Sequence, residues 1–133
     1  PRTRKNLDNG QTFDENLVFS GPLSYLEFMY LLKHAKGVVT DSGGITEEAT
    51  VLNIPCLTLR NSTERPETIE LGTNVLIGND IEKLRNCLKS LKEGQWKQGT
   101  IPELWDGKAS VRIISHLKNI YGIKRVSNVV CVE

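Results

Sequence analysis

Apolar and polar positions along this chain change in short blocks, and the block around Gly37 organises the rest. Val38 and Val39 read as the end of a short buried strand. Asp41-Ser42-Gly43-Gly44 is a small-residue turn, and Ile45, Ala49 and Leu52 then recur on one face of a helix. Upstream, the apolar run Leu17-Val18-Phe19, bounded by Ser20-Gly21-Pro22, predicts another short strand. Tyr25, Phe28, Met29 and Leu32 follow at helical spacing behind a Ser24/Glu27 capping-box pattern, which predicts a helix with a buried stripe ending near Gly37. Downstream, strands are predicted at 56–59 and 74–77. Between them Pro66 suits the first turn of a helix, with Glu67 and Glu70 at its positive end and Gly72 as its close. Asp80 caps a further helix whose Ile81, Leu84, Leu88 and Leu91 are expected to face the core, with Gly94 as its stop. Periodicity lapses from Gln95 to Lys108, where Trp96 and Trp105 are expected to pin the loop, and Val111, Ile114 and Leu117 mark a last helix ending near Gly122. Strands alternating with helices in this way predict an α/β fold, a Rossmann-like parallel sheet with helices on both faces.

Charge narrows the partners. The chain has 133 residues with 17 basic and 16 acidic side chains, a formal net charge of +1, so no global field recruits nucleic acid or an anionic membrane. Any anion must be bound locally. No apolar run is long enough to span a bilayer and the N-terminal residues lack a signal-peptide core, which makes the cytoplasm the expected compartment. Cys56, Cys87 and Cys131 are an odd, widely spaced set that reads as free thiols. His34 and His116 sit late in their helices without a nearby ligand set, so no metal is implied.

Local anion binding has an obvious candidate. A glycine turn into a helix leaves backbone N–H groups at the positive end of the helix dipole, with no Cβ to keep a phosphate away. The two glycines match neither the dinucleotide fingerprint nor the P-loop, so the turn alone is also consistent with ordinary packing. The next strand, however, ends in Arg60 and Thr63-Glu64-Arg65-Pro66, and adjacent parallel strands deliver their C-terminal loops to one edge. Arg65 there bridges phosphate oxygens or else pairs with Glu64 or Glu67; Arg60 is the weaker candidate, and Thr63 can add a hydroxyl. Ser42, Gly43 and Gly44 point donors at the same anion. Glu48, one to two turns into the helix, suits a ribose diol, whereas Glu47 is either a ligand contact or a solvent-facing or hydrogen-bonded structural residue. Asp41 is expected to stabilise its own turn. Arg2, Arg4 and Lys5 read as a solvated helix start rather than a phosphate entrance.

These residues carry a resemblance. TDSGGITEEA followed by PCLTLRNSTERPETIELGTNVLIG, with PRTRKNL at the start and IPELWDGKA later, resembles the C-terminal half of the non-hydrolysing UDP-N-acetylglucosamine 2-epimerases, from residue 1 to about 120. The resemblance implies the second domain of a GT-B architecture, two Rossmann-like domains facing a cleft, with residues 1–122 as the UDP-binding part and 123–133 as a tail. It places the diphosphate on Ser42, the ribose on Glu48, the phosphate contact on Arg65 and the uracil ring beside Phe28, which the helical stripe alone reads as core. It also implies interconversion of UDP-N-acetylglucosamine and UDP-N-acetylmannosamine by elimination and re-addition of UDP, with no metal or other cofactor. The acid–base groups belong to the family's first domain, and the histidine that opens the family's His-Pro-Arg-Thr-Arg motif precedes Pro1, so the sequence reads as an N-terminally truncated fragment, inactive alone. In the order 3-2-1-4-5-6 its strands would be the third to sixth. Such a fragment is expected to rearrange, with residues 129–132 as a substitute strand, or to pair into a homo-oligomer through exposed edges. A GT-B glycosyltransferase donor domain and a non-catalytic nucleotide-sugar module are the competing readings.

Overall fold

The computed structural model describes residues 15–122, so the readings of Arg2, Arg4, Lys5, Cys131 and the 123–133 tail lie outside the described residues. The chain divides into two compact units after Tyr30. In the first, helix α1 (Tyr25–His34) starts as its sequence requires. Glu27 Oε2 accepts from Ser24 N at 2.8 Å and from Ser24 Oγ at 2.7 Å, while Glu27 N donates to Ser24 Oγ at 3.5 Å. Those bonds hold the Glu27 carboxyl below its ordinary range. The strand predicted at 17–20 is not formed: Leu17, Val18 and Phe19 are exposed, Val18 at 85%. A three-residue apolar run becomes a strand only against a neighbour that pairs its backbone, and the described sheet does not include it. Tyr25 is also exposed rather than part of a buried stripe, and Phe28 and Met29 are half-buried.

The second unit holds the sheet. Strands β1 (Val38–Thr40), β2 (Cys56–Thr58) and β3 (Asn74–Leu76) lie side by side in that order, all parallel. The adjacent order agrees with fourth, fifth and sixth strands of a Rossmann-type sheet. Register aligns Val38 with Cys56 and Asn74, and Thr40 with Thr58 and Leu76. Because side chains alternate, these six share one face, and Val39, Leu57 and Val75 share the other. Helices α2 (Gly43–Val51) and α3 (Glu67–Glu70) pack against the sheet, and Asn74 Nδ2 bonds Thr68 Oγ1 of α3, which identifies the first face as theirs. Helix α4 (Ile81–Lys92) lies by the second face: Cys87 and Val75 line one cavity, and Leu91 sits where a Cβ on Gly37 would be 2.7 Å from its Cδ2.

The interior is more polar than the apolar pattern suggests. Alongside Ala49, Cys56, Leu57 and Ile77, the fully buried residues include Thr46, Thr50, Thr58, Thr68, Thr73 and Asn74. The expected core positions Ile45, in α2, and Leu52, its C-cap, are only half-buried. Thr46 and Thr50 take the inner face with Ala49, because each hydroxyl donates to a carbonyl one turn back, Gly43 O at 2.6 Å and Thr46 O at 2.8 Å. Burial raises the Cys56 thiol to about 11, against the pull of its contact with Thr58.

Past the sheet, α4 begins as expected, with Asp80 accepting from Lys83 N at 2.9 Å, and α5 (Ala109–Tyr121) ends at left-handed Gly122. Their stripes are buried less than expected: in α4 Leu84 and Leu91 are half-buried while Ile81 and Leu88 are exposed, and in α5 Val111, Ile114 and Leu117 are all exposed. Trp96 pins the intervening segment, its indole N–H donating to Thr73 O at 2.9 Å. Asp106 accepts from Lys108 N and from Arg112 Nη1, contacts that hold its carboxyl below the ordinary range and tie the segment to the start of α5.

Candidate functional site

Helix α2 begins two residues earlier than the sequence pattern implies, so Gly43 and Gly44 are in its first turn rather than in a preceding loop. Ser42 is the N-cap in extended conformation, yet its hydroxyl makes no cap bond. Its N–H donates to Thr40 Oγ1 at 3.0 Å, which anchors the strand-to-helix corner and leaves the hydroxyl uncommitted to the helix. A Cβ on Gly43 would meet nothing within 4 Å, and one on Gly44 only Ser42 Oγ at 4.0 Å. Packing therefore does not demand glycine at either position. What glycine does there is leave the space in front of the helix N–H groups open.

The loop after β2 closes the opposite side. Leu59 N donates to Thr40 O at 2.8 Å, extending the pairing of β1 and β2 up to the loop. Arg65 N then donates to Thr63 Oγ1 at 3.1 Å, and Thr68 donates to Arg65 O through both its backbone N, at 3.1 Å, and its Oγ1, at 2.8 Å. A buried relay backs this carbonyl: Thr58 Oγ1 donates to Asn74 Oδ1 at 2.6 Å, and Asn74 Nδ2 to Thr68 Oγ1 at 3.0 Å. The side chain of Arg65 is tied as well. Its Nε donates to Glu47 Oε1 of α2, and its Nη1 donates to Glu64 O at 3.2 Å. That hydrogen bond, and then the Glu47 charge, push the guanidinium pKa further up.

Between helix start and loop lies a cavity of about 110 Å³. Gly43, Gly44, Thr46 and Glu47 wall it from α2 and Thr58 from β2; Arg60, Thr63, Glu64 and Arg65 wall it from the loop. Whole-ligand pockets run to roughly 300–1,000 Å³, so this one is the size of a ligand's polar fragment. Two guanidinium and two carboxylate groups surround it, and the positive end of the α2 dipole tips the balance toward an anion. A larger cavity of about 490 Å³ lies on the α4 side, walled by Val75, Cys87 and Trp96 and by Asp80, Glu82 and Lys83 at the start of α4, where the Asp80 carboxylate already caps the helix N–H groups. Size alone would have chosen it.

Of the residues singled out from sequence, Gly43, Gly44, Thr63 and Arg65 line the smaller cavity, and Ser42 directly precedes it. Glu48 does not line it. It is half-buried one residue beyond Glu47, and consecutive helical residues diverge by about 100°, so the two carboxylates face different surroundings. Phe28 is half-buried on α1 in the first unit. The structural partner expected for Arg65 was Glu64 or Glu67; the ion pair is with Glu47 instead, because α2 stands across the cavity from the loop, while Glu64 contributes its carbonyl. Thr46 and Thr58 were not foreseen as lining residues. Strand alternation held a signal for Thr58, which shares the parity of Thr40 across the register. Among the described residues, no His, Cys, Asp and Glu group could hold a metal ion, and no helix is long and apolar enough to cross a membrane.

The family model described as UDP-N-acetylglucosamine 2-epimerase matches residues 1–118. The chain belongs to the UDP-N-acetylglucosamine 2-epimerase family. A curated UDP-N-acetylglucosamine 2-epimerase from Methanocaldococcus jannaschii is 41% identical over 121 residues, covering 86% of this chain and 32% of that protein. The M. jannaschii enzyme solved with UDP-GlcNAc and UDP superposes with a TM-score of 0.67 at 40% identity, over 87% of this chain and 34% of the other. The Neisseria meningitidis enzyme bound to UDP-GlcNAc gives 0.66 at 35% identity, over 74% and 28%. This chain thus spans about a third of the length of the curated epimerases it matches. The Rossmann-like parallel sheet with helices, as found in this GT-B family, is borne out.

Proposed function

We propose that this chain supplies the UDP-binding part of a UDP-N-acetylglucosamine 2-epimerase, which interconverts UDP-N-acetylglucosamine and UDP-N-acetylmannosamine by elimination and re-addition of UDP. The observation that carries it is the convergence of the glycine-led start of α2 and the Arg65 loop on one small polar cavity. In this reading the diphosphate rests against Ser42, Gly43 and Gly44, with Thr63 and Arg65 donating from the loop. Glu48 accepts from the ribose diol, and Phe28 lies beside the uracil ring. Negative charge accumulates on UDP as its bond to the sugar breaks, so donors already in place favour departure. Proton transfer at C2 falls to groups outside these residues. The family match weighs against the glycosyltransferase and the non-catalytic module.

Calorimetric titration with UDP tests the reading. The chain should bind UDP, Glu48→Ala should weaken binding by about 1–3 kcal/mol, and Arg65→Ala by about tenfold or more. By itself the 133-residue chain should exchange no C2 proton of UDP-N-acetylglucosamine in deuterated water. Unchanged UDP affinity in both variants would move the site elsewhere, and exchange by a purified sample would relocate the acid–base groups into this chain.

A further inference from the structure

Glu47 occupies a singular place in the cavity wall. It is the α2 residue that reaches across to the loop, and it does so through the Nε edge of a guanidinium whose Nη1 is already bound to Glu64 O. A planar fork held at Nε and Nη1 has a fixed plane, and the direction of its remaining N–H groups follows from it. The main chain that carries the arginine is fixed independently, by the bonds of Arg65 N to Thr63 Oγ1 and of Thr68 to Arg65 O. Arginine side chains carry about 2 kcal/mol of rotamer entropy, so one held in place before the ligand arrives loses less on binding. Its pairing partner sits on the same helix that begins with Gly43 and Gly44, so the two halves of an anion site move as one body.

We propose that Glu47 is a positioning residue, holding the Arg65 guanidinium at the cavity so that its free N–H groups meet the phosphates of the ligand. This rests on the UDP-binding reading above. It also divides the adjacent carboxylates: Glu48 receives the diol, and Glu47 acts through Arg65 without touching the ligand. A competing physical outcome is built into the same contact. The carboxylate brings negative charge beside an anion site, and if that repulsion outweighed the gain from orientation, Glu47 would act as a competitor for Arg65.

A double-mutant cycle on the chain, read by UDP calorimetry, separates these. Glu47→Gln should weaken UDP about three- to fivefold, Arg65→Gln should weaken it more, and adding Glu47→Gln to Arg65→Gln should have little further effect. Glu47→Asp, which keeps the charge on a shorter stem, should recover part of the loss. Thermal melts of each variant accompany the titrations, because a purely structural role would lower the melting temperature and weaken UDP equally in both backgrounds. Equal losses in both backgrounds, unchanged affinity in Glu47→Gln, or tighter binding would each overturn the proposal. Absence of UDP binding by the unmodified chain would instead remove the parent reading, and this one with it.

Discussion

The sheet face beneath α2 and α3 is packed with hydroxyls and an amide, while α4 leaves half of its apolar stripe exposed and α5 leaves its whole stripe exposed. Thr46, Thr50, Thr58, Thr68 and Asn74 are buried almost completely; Ile81, Leu88, Ile114 and Leu117 are exposed. Hydropathy would have ranked the two regions the other way. The difference lies in what each side chain has to meet. The hydroxyls of Thr46, Thr50, Thr58 and Thr68 each have a partner one turn back or one strand across, so the cost of desolvating them is offset where they stand. An apolar stripe gains only when a second surface arrives to cover it, and within residues 15–122 none covers most of α5. Amphipathicity marks a capacity for burial, and short polar elements can be the ones that realise it.

The contrast is broken most severely at Asn74. Asn74→Ala removes both bonds of the relay, leaving the buried Thr58 hydroxyl without its acceptor and the Thr68 hydroxyl with only its bond to Arg65 O, which should cost about 3 kcal/mol by urea unfolding. A cost under about 0.5 kcal/mol would mean that the polar face is not what holds this region. Cys56 gives a smaller, pH-dependent effect. Its folded-state thiol is raised from 9.0 to about 11 by burial, so the folded state holds its proton where the unfolded state has lost it. Stability from this group is complete below pH 9 and drains away as the pH rises toward 11. The total is about 3 kcal/mol. Unfolding curves at pH 8 and 10.5 should show the loss, and Cys56→Ala should flatten it. Smallest of all is Ile114→Asn on α5, expected to shift stability by less than about 0.5 kcal/mol, because that side chain is already exposed. A loss of several kcal/mol would show that the α5 stripe is covered in solution.

Element type and order were legible along most of the chain because caps and breakers are local. Ser24 with Glu27, Asp80, and Gly122 each act within a few residues of themselves, and each does in the structure what its position announces. The 17–20 strand failed because strand formation is not local; an apolar run carries no record of whether a neighbour is present. Membership of the cavity wall was half legible. Gly43 and Arg65 announce themselves by residue type, whereas Thr58 does so only once the register with β1 is known. The pairing of Glu47 with Arg65 crosses eighteen positions and a loop, and in sequence nothing separated it from the nearer Glu64 and Glu67.

The relay that ends on the Arg65 carbonyl also sets how this loop breathes. The thiol of Cys56 lies 3.9 Å from Thr58 Oγ1, and from there donors run in one direction through Asn74 and Thr68 to the loop. Swinging the arginine's main chain outward would leave Thr68 N and Oγ1 without their shared acceptor. Opening at this carbonyl is therefore expected to follow that of β2 and β3. Much of the cost of ordering the arginine for a ligand is met when the chain folds. Hydrogen exchange at the amides of Thr68 and Ile69 would follow the sheet in step.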